Sequence, residues 1–309
     1  MRGLLQYVTR RILMMIPVLI GVTLVTFVLM NVVPGDPVIE MLGKRTDPQT
    51  VAMVRKELGL DAPLHIQYLR FLAGALRGDL GMSYKLRQPV TALIMRTFPT
   101  TAKLALSAAV VAIALGLTVG IISAVKQYSL LDHVTMVGTL TGISAPVFWV
   151  AMIAQLVFGY YLRWFPISGY YSPWHMVLPA IVLGTRFSAS IARLTRTTML
   201  DVIRQDYVRT ARAKGLGERI VIYSHALRNA MIPIVTIIGM QISGLLTGSF
   251  FTETVFAIPG LGSLAVRAMQ QRDFPLMQGT VLFGAVVLCV GILIVDISYA
   301  YLDPRIRLE

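Results

Sequence analysis

The sequence is short of charge and nearly devoid of cysteine. Of its 309 residues only 14% are Asp, Glu, Lys or Arg, against about a quarter in an ordinary globular domain, so a soluble enzyme of this length is excluded. The single cysteine, Cys289, lies inside an apolar run. A disulfide framework and a thiolate metal site therefore drop out, and Cys289 reads as a small core hydrophobe. The histidines, His65, His133, His175 and His225, are far apart in sequence, which disfavours a metal or catalytic cluster. No G-x-x-x-x-G-K-[ST] stretch is present, and Gly43-Lys44-Arg45 does not supply one, so the chain has no P-loop with which to hold ATP. G-x-S-x-G and H-E-x-x-H are missing too. Neither catalysis nor a cofactor or metal is expected.

What is abundant is apolar: 56% of residues are hydrophobic and the mean hydropathy is +0.71. Uncharged runs of spanning length recur from end to end, which one anchor on a soluble domain does not explain. The first, Ile12–Val33, would reach about 33 Å as a helix. Arg2, Arg10 and Arg11 precede it, and Thr9-Arg10-Arg11 hints at a twin-arginine signal. The run is nevertheless too long for a signal core and has no small-x-small cleavage site, so it reads as a permanent helix. Further spans are expected at Leu104–Val125, His133–Leu162 with a kink at Pro146, Trp174–Leu194, Ala230–Thr252 and Leu276–Val295. The fold expected is all-α, with six transmembrane helices.

Between the first two spans, Pro34–Pro99 mixes basic and acidic residues with short amphipathic patterns and reads as a small folded unit outside the bilayer. Asp47-Pro48 and Gly59 bracket one helix, Pro48–Leu58. Asp61 and Pro63 open a second, with Leu64, Tyr68, Phe71 and Leu72 on one face. The division is thus residues 1–33, 34–99 and a five-helix core over 100–309. Tyr160, Tyr161, Trp164, Phe165, Tyr170, Tyr171 and Trp174 cluster as interfacial aromatics do. Two G-x-x-x-G pairs, Gly116–Gly120 and Gly244–Gly248, would allow close backbone approach, although glycine is common in membrane helices anyway.

Net charge is +13, and Arg193–Arg228 holds eight basic and three acidic residues. The positive-inside bias explains both without nucleic acid. It places that loop, the N-terminus and the tail Asp303–Glu309 in the cytoplasm and the 34–99 unit outside. Charges within the spans are few. Arg186 and Asp296 are candidates for a transport role, or they sit toward cytoplasmic helix ends, where Arg186 snorkels and Asp296 meets water or a basic partner.

The informative stretch is cytoplasmic and reads as helix, stop, helix. Asp206 near one end and Lys214 in the last turn complement a helix dipole, Gly215 suits a left-handed cap, and Glu218 opens the next helix. A short polar helix held between two spans suits a handle for a cytosolic partner; an amphipathic connector resting on anionic lipid is the other reading.

The residues Tyr207–Gly215 (YVRTARAKG) and His225–Pro233 (HALRNAMIP) resemble the loop of ABC-importer permeases of the dipeptide, oligopeptide and nickel type. Val33–Pro37 (VPGDP), Arg77–Ser83 (RGDLGMS), Glu253–Gly262 (ETVFAIPGLG), Arg272–Pro275 (RDFP) and Tyr301–Leu308 (YLDPRIRL) follow the same family in order, over nearly the whole chain. Arg209, Thr210 and Ala211 stand where the general importer pattern has Glu-Ala-Ala, and His225-Ala226-Leu227-Arg228 replaces I-x-L-P; both are typical of the peptide subfamily. The resemblance implies a type I importer fold with five core helices and the first wrapped outside. It implies as partners a second homologous permease, forming a heterodimer, two cytosolic ATPases and an extracytoplasmic substrate-binding protein. By the same analogy Asp206, Tyr207, Arg209, Thr210, Ala211, Arg212, Ala213, Lys214 and Gly215 form the ATPase-coupling helix, with Ala211 on the face that packs into the ATPase groove. A self-contained secondary carrier and a membrane scaffold or insertase share the span count. The carrier would call for an internal repeat and more polar residues in the spans. Peptides, nickel chelates, glutathione and some oligosaccharides stay open as cargo.

Overall fold

The computed structural model describes residues 2–32, 36–42 and 47–302. The described residues contain helices and no strand, only an isolated bridge between Met82 and Pro89. The expected features at Val33–Gly35 and over Asp303–Glu309 lie outside them. In chain order the helices are α1 (Arg2–Val32), α2 (Pro37–Leu42), α3 (Pro48–Glu57), α4 (Leu64–Leu76) and α5 (Val90–Val125). Then come α6 (Leu130–Ser144), α7 (Val147–Ala154), α8 (Val177–Ile203), α9 (Asp206–Ala213) and α10 (Glu218–Ile220). The chain finishes with α11 (Arg228–Leu246), α12 (Phe250–Val255), α13 (Leu261–Gln270) and α14 (Phe274–Leu302).

Among the described residues, five helical runs are long and apolar enough to cross a membrane: Gln6–Val32, Val90–Val125, Pro173–Ile203, Glu218–Leu246 and Phe274–Ser298. The third expected span, His133–Leu162, is not one helix. Pro146 has no N–H to give and pushes the residue before it out of the helical region, so Ala145 is extended at φ −72°, ψ 133°. The kink expected there is a break: α6 stops at Ser144, α7 restarts at Val147, and a π turn, Gln155–Tyr161, follows. The fifth span also ends earlier than expected. It ends at Leu246, because Gly248 turns at φ +108° and α12 starts afresh at Phe250.

α5 begins at Val90, fourteen residues ahead of the expected Leu104, with Pro99 inside it. Its 36 residues reach about 54 Å, well beyond a hydrocarbon core of about 30 Å. The helix therefore takes Val90–Pro99 from the 34–99 unit and carries the 80–89 loop at its projecting end. Within the unit α3 and the stop at Gly59 (φ +67°) stand as expected, though Asp47 makes no side-chain cap. Leu64 is exposed, whereas Tyr68, Phe71 and Leu72 are half-buried. Tyr68 Oη lies 3.0 Å from Thr23 Oγ1, and its ring packs on Phe27, which holds α4 against α1.

The centre of the molecule is the α5–α8 pair. Three glycines set its spacing. A Cβ at Gly116 would lie 2.7 Å from Ile191, one at Gly120 2.6 Å from the Ala192 carbonyl, and one at Gly184 2.6 Å from Val111. The first G-x-x-x-G thus packs two helices of this chain. In the second pair Gly244 has no atom within 4 Å of its would-be Cβ, whereas one at Gly248 would lie 2.9 Å from the Gly262 nitrogen, so only Gly248 admits a close backbone approach, by the start of α13. Leu104, Ala108, Leu183 and Phe256 are buried in the adjoining core. The apolar side chains of α1, Leu13, Val25 and Leu29 among them, are more than half exposed, as lipid-facing residues are.

Candidate coupling site and buried anchors

α9 is the short polar helix that the sequence pattern called for, and its end is a Schellman turn. Gly215 N–H donates to Arg212 O (2.9 Å) and Leu216 N–H to Ala211 O (3.4 Å), with Gly215 at φ +78°. That pairing satisfies carbonyls a helix end leaves open. Asp206, Tyr207, Arg209, Thr210, Arg212, Ala213, Lys214 and Gly215 are all exposed. Asp206 and Arg209 approach to 3.8 Å in solvent, a contact of little energetic weight. Thr210 Oγ1 donates to Asp206 O (2.9 Å), and Asn229 Nδ2 donates to Tyr207 Oη (2.7 Å). Arg212 grips Glu218 through two hydrogen bonds, 2.7 and 3.2 Å, tying α9 to α10.

Ala211 is the exception. It is 5% exposed, and with Val208 (0%) it packs on Val221 and Val202 of the same chain. The expectation that Ala211 faces a partner's groove is therefore corrected. The α9 periodicity places 208 and 211 on one face, and that apolar face is spent on seating the helix against its own subunit. The surface left for a partner is the polar one.

The two intramembrane charges have separate fates. Asp296 in α14 meets Arg11 of α1 at 3.2 Å. The contact is an ion pair without hydrogen-bond alignment, since Asp296 Oδ2 accepts no hydrogen bond. The basic partner expected for it is present. Arg186 does not lie toward a helix end. α8 runs on past Leu194 to Ile203, which leaves Arg186 near the middle of the run Pro173–Ile203. There its Nη1 donates to Ala145 O, at the break in the third span (3.1 Å). The extension of α8 is locked by Arg196, whose Nε and Nη2 grip Asp132 at 2.7 and 2.8 Å; Asp132 also takes hydrogen bonds from Ser123 and the Tyr128 N–H.

Two further carboxylates, absent from the sequence-based candidates, are fully buried. Glu253 accepts from Thr101 Oγ1 (2.9 Å), Ser249 N–H (3.3 Å) and Ser263 N–H (2.9 Å). Thr101 Oγ1 accepts in turn from Leu261 N–H (2.7 Å), so α12 and α13 are pinned to α5. Gly260 is required there, as its Cβ would stand 2.4 Å from Glu253 Oε2. Burial pushes the Glu253 carboxyl above its ordinary value, and the donors from Ser263, Thr101 and Ser249 pull it back. Asp273 accepts from Ser83 Oγ and from the N–H groups of Tyr84 (3.1 Å) and Lys85 (3.2 Å), fastening the 80–89 loop to the start of α14. Burial, with the Asp273 charge second, raises the Tyr84 phenol to about 12. Both carboxylates lie in motifs, ETVFAIPGLG and RDFP, whose spacing alone did not disclose a buried acid. The described residues hold no cluster of metal-ligating side chains.

Among the described residues, five membrane-length helices, a segmented span between the second and third of them, and an exposed polar helix between α8 and α11 define a polytopic membrane protein of the transport type. Residues 116–308 match the family described as binding-protein-dependent transport system inner membrane component, and residues 4–105 match the N-terminal part of such membrane components. The chain belongs to this family: it is a permease subunit of an ABC importer, a multi-pass inner-membrane protein and not itself an enzyme. It is 42% identical to the dipeptide transport system permease protein DppB of Escherichia coli (strain K12), over 98% of this chain and 99% of that one. It is 39% identical to DppB of Alkalihalophilus pseudofirmus, over 98% and 100%. It is 40% identical to the glutathione transport system permease protein GsiC of Salmonella paratyphi A, over 98% and 99%. Among solved structures it resembles a chain of the inward-facing MetNI methionine ABC transporter, at TM-score 0.56 and 15% identity, covering 68% of this chain and 96% of that one. The likeness supports the type I importer fold.

Proposed function

We propose that this chain forms half of the translocation path of an ATP-driven importer of dipeptides or oligopeptides. Its partners would be a second, homologous permease in a heterodimer, two cytosolic ATPases and an extracytoplasmic substrate-binding protein. The observation that carries the coupling role is α9: a helix seated on its own subunit through Val208 and Ala211, closed by a left-handed glycine and offering Asp206, Tyr207, Arg209, Thr210, Ala213 and Lys214 outward. A rigid handle of this kind transmits a rigid-body displacement, so closure of the ATPases would tip the permease pair from inward-open to outward-open. In this reading both termini and α9 face the cytoplasm. The 34–99 unit, fastened through Asp273, helps to dock the loaded binding protein outside. The peptide assignment leans on the DppB relatives, and the GsiC relative makes glutathione the second reading.

Orientation is checked by cysteine labelling after Cys289 is replaced by serine. Gln49→Cys, in the outer unit and exposed, should react with a membrane-impermeant maleimide in intact cells, outer membrane permeabilised where there is one. Ala213→Cys should react only after lysis, and the opposite pattern inverts the topology. Partnership is checked by turnover. The purified chain should hydrolyse no ATP, having no phosphate-binding loop, and import should appear only with nucleotide-binding subunits added. ATP hydrolysis by the pure chain would overturn that division of labour.

A further inference from the structure

Arg186 stands at a junction that capping alone does not account for. Where Pro146 interrupts the third span, the preceding carbonyls lose their helical donors, and Arg186 Nη1 reaches across from α8 to the Ala145 carbonyl (3.1 Å). A neutral hydroxyl or amide would serve that purpose. A guanidinium brings a full charge to the middle of a membrane run, which is costly and marks functional positions.

Two cavities meet at this side chain. One, of about 310 Å3, lies among α5, α6, α7 and α8 and is lined by Thr135, Thr139, Val147 and Ser188 as well as Arg186. The other, of about 200 Å3, lies on the α11–α12 side, where Phe250 and Phe251 complete the wall. Arg186 and Val147 line both, and among the described lining residues Arg186 is the only one that carries charge. The larger cavity is of the size and apolar character of small-molecule sites, with few polar groups to fix orientation.

We propose that Arg186 is the specificity-determining residue of the translocation path, and that it reads a carboxylate on the passing solute. The guanidinium exchanges the Ala145 carbonyl for the solute's carboxylate, which it holds through charge-assisted, paired N–H···O bonds. Once the solute leaves, it returns to the carbonyl. The two hydrogen-bonded arrangements balance, since Ala145 O is free to take water in an open cavity while the solute is held. The inference rests on the reading of this chain as a path-forming permease and narrows its cargo to solutes with a carboxylate, whether a peptide's C-terminus or the carboxylates of glutathione.

The test uses the complete transporter in proteoliposomes, with dialanine and glutathione as probes. Arg186→Gln keeps N–H donors for a carbonyl and loses the charge; Arg186→Lys keeps both. Arg186→Gln should lower import about tenfold, the scale of one lost charge-assisted hydrogen bond. Assembly and the ATPase activity stimulated by loaded binding protein should stay within about twofold. Arg186→Lys keeps the charge but loses the planar fork, so import should fall about threefold, less than with Arg186→Gln. Import by Arg186→Gln equal to wild type, or a fall shared equally by Lys and Gln, would overturn the carboxylate role. Loss of assembly along with import would make Arg186 a brace for the α6–α7 break and overturn it too. Import of glutathione but not dialanine by the wild type removes the dipeptide reading and leaves Arg186 in its role. A wild-type complex that imports only solutes without a carboxylate removes both.

Discussion

Glu253→Ala should leave little folded protein in the membrane. The substitution removes the acceptor for Thr101 Oγ1 and for the N–H groups of Ser249 and Ser263, in a place where Glu253 is 0% exposed. Each buried donor left without a partner costs about 1–3 kcal/mol, so the sum is comparable with the whole stability of many proteins. Glu253→Gln is the milder change. Its amide keeps one oxygen and turns an NH2 toward a group that is itself a donor, which should cost about 1–3 kcal/mol. The measurement is membrane abundance together with thermal unfolding in detergent, in the order wild type, Gln, Ala. A wild-type melting temperature for Glu253→Ala would mean that α12 and α13 are held by something other than this network. The pH dependence carries a second check. Because the folded carboxyl is raised by burial, stability is fully present below the ordinary carboxylate value and falls as pH rises through the raised one. Glu253→Gln should lack that slope.

Most of the fold could be read from the sequence because lipid imposes it. A backbone in hydrocarbon must satisfy its own polar groups, so long uncharged runs become helices, and five of the six spans emerged with shifted ends. The shifts have identifiable causes. α8 outran its expected end because Arg196, one of the charges counted in the polar loop Arg193–Arg228, is neutralised by Asp132 from α6. Hydropathy counts charges singly and misses a pair formed 64 residues apart. The same blindness hid Glu253 and Asp273, whose donors come from residues 152 and 190 positions away. Pro146 was visible as a disturbance, but whether a proline kinks or breaks a helix depends on what meets the freed carbonyls, here Arg186 from α8. Helix α9 was the most readable part of the candidate site. Its length, stop and dipole charges are local features, whereas the inward turn of Ala211 depends on packing against Val221, which no local pattern specifies.

Gly215→Val should uncouple transport without removing the protein. A Cβ at Gly215 meets no atom within 4 Å, so no neighbour resists it, and the whole penalty comes from φ +78°. A β-branched residue is strongly disfavoured there, at about 1–2 kcal/mol or more. The chain escapes the strain by leaving the left-handed region. That breaks the Gly215–Arg212 and Leu216–Ala211 hydrogen bonds and swings α9 relative to α10. Abundance should stay near wild type, because the site lies outside the membrane runs. Import by the complete complex should fall about tenfold, the equivalent of that strain expressed in the coupled geometry. ATP hydrolysis should either continue without transport or be lost as the ATPases dissociate. Gly215→Asn separates conformation from side-chain presence, since Asn tolerates the left-handed region, and it should retain most of the import. Ala211→Asp acts by another route. It buries a carboxylate beside Val208 and Val221, with no partner to offset the desolvation, so it should unseat α9 from its own subunit and expose the 206–218 segment to protease. Arg204→Ala removes only a 3.5 Å contact with Gln127 at the surface and should change import little. Should Gly215→Val import at the wild-type rate at normal abundance, α9 is a connector, and the power stroke must reach the permease through some other element.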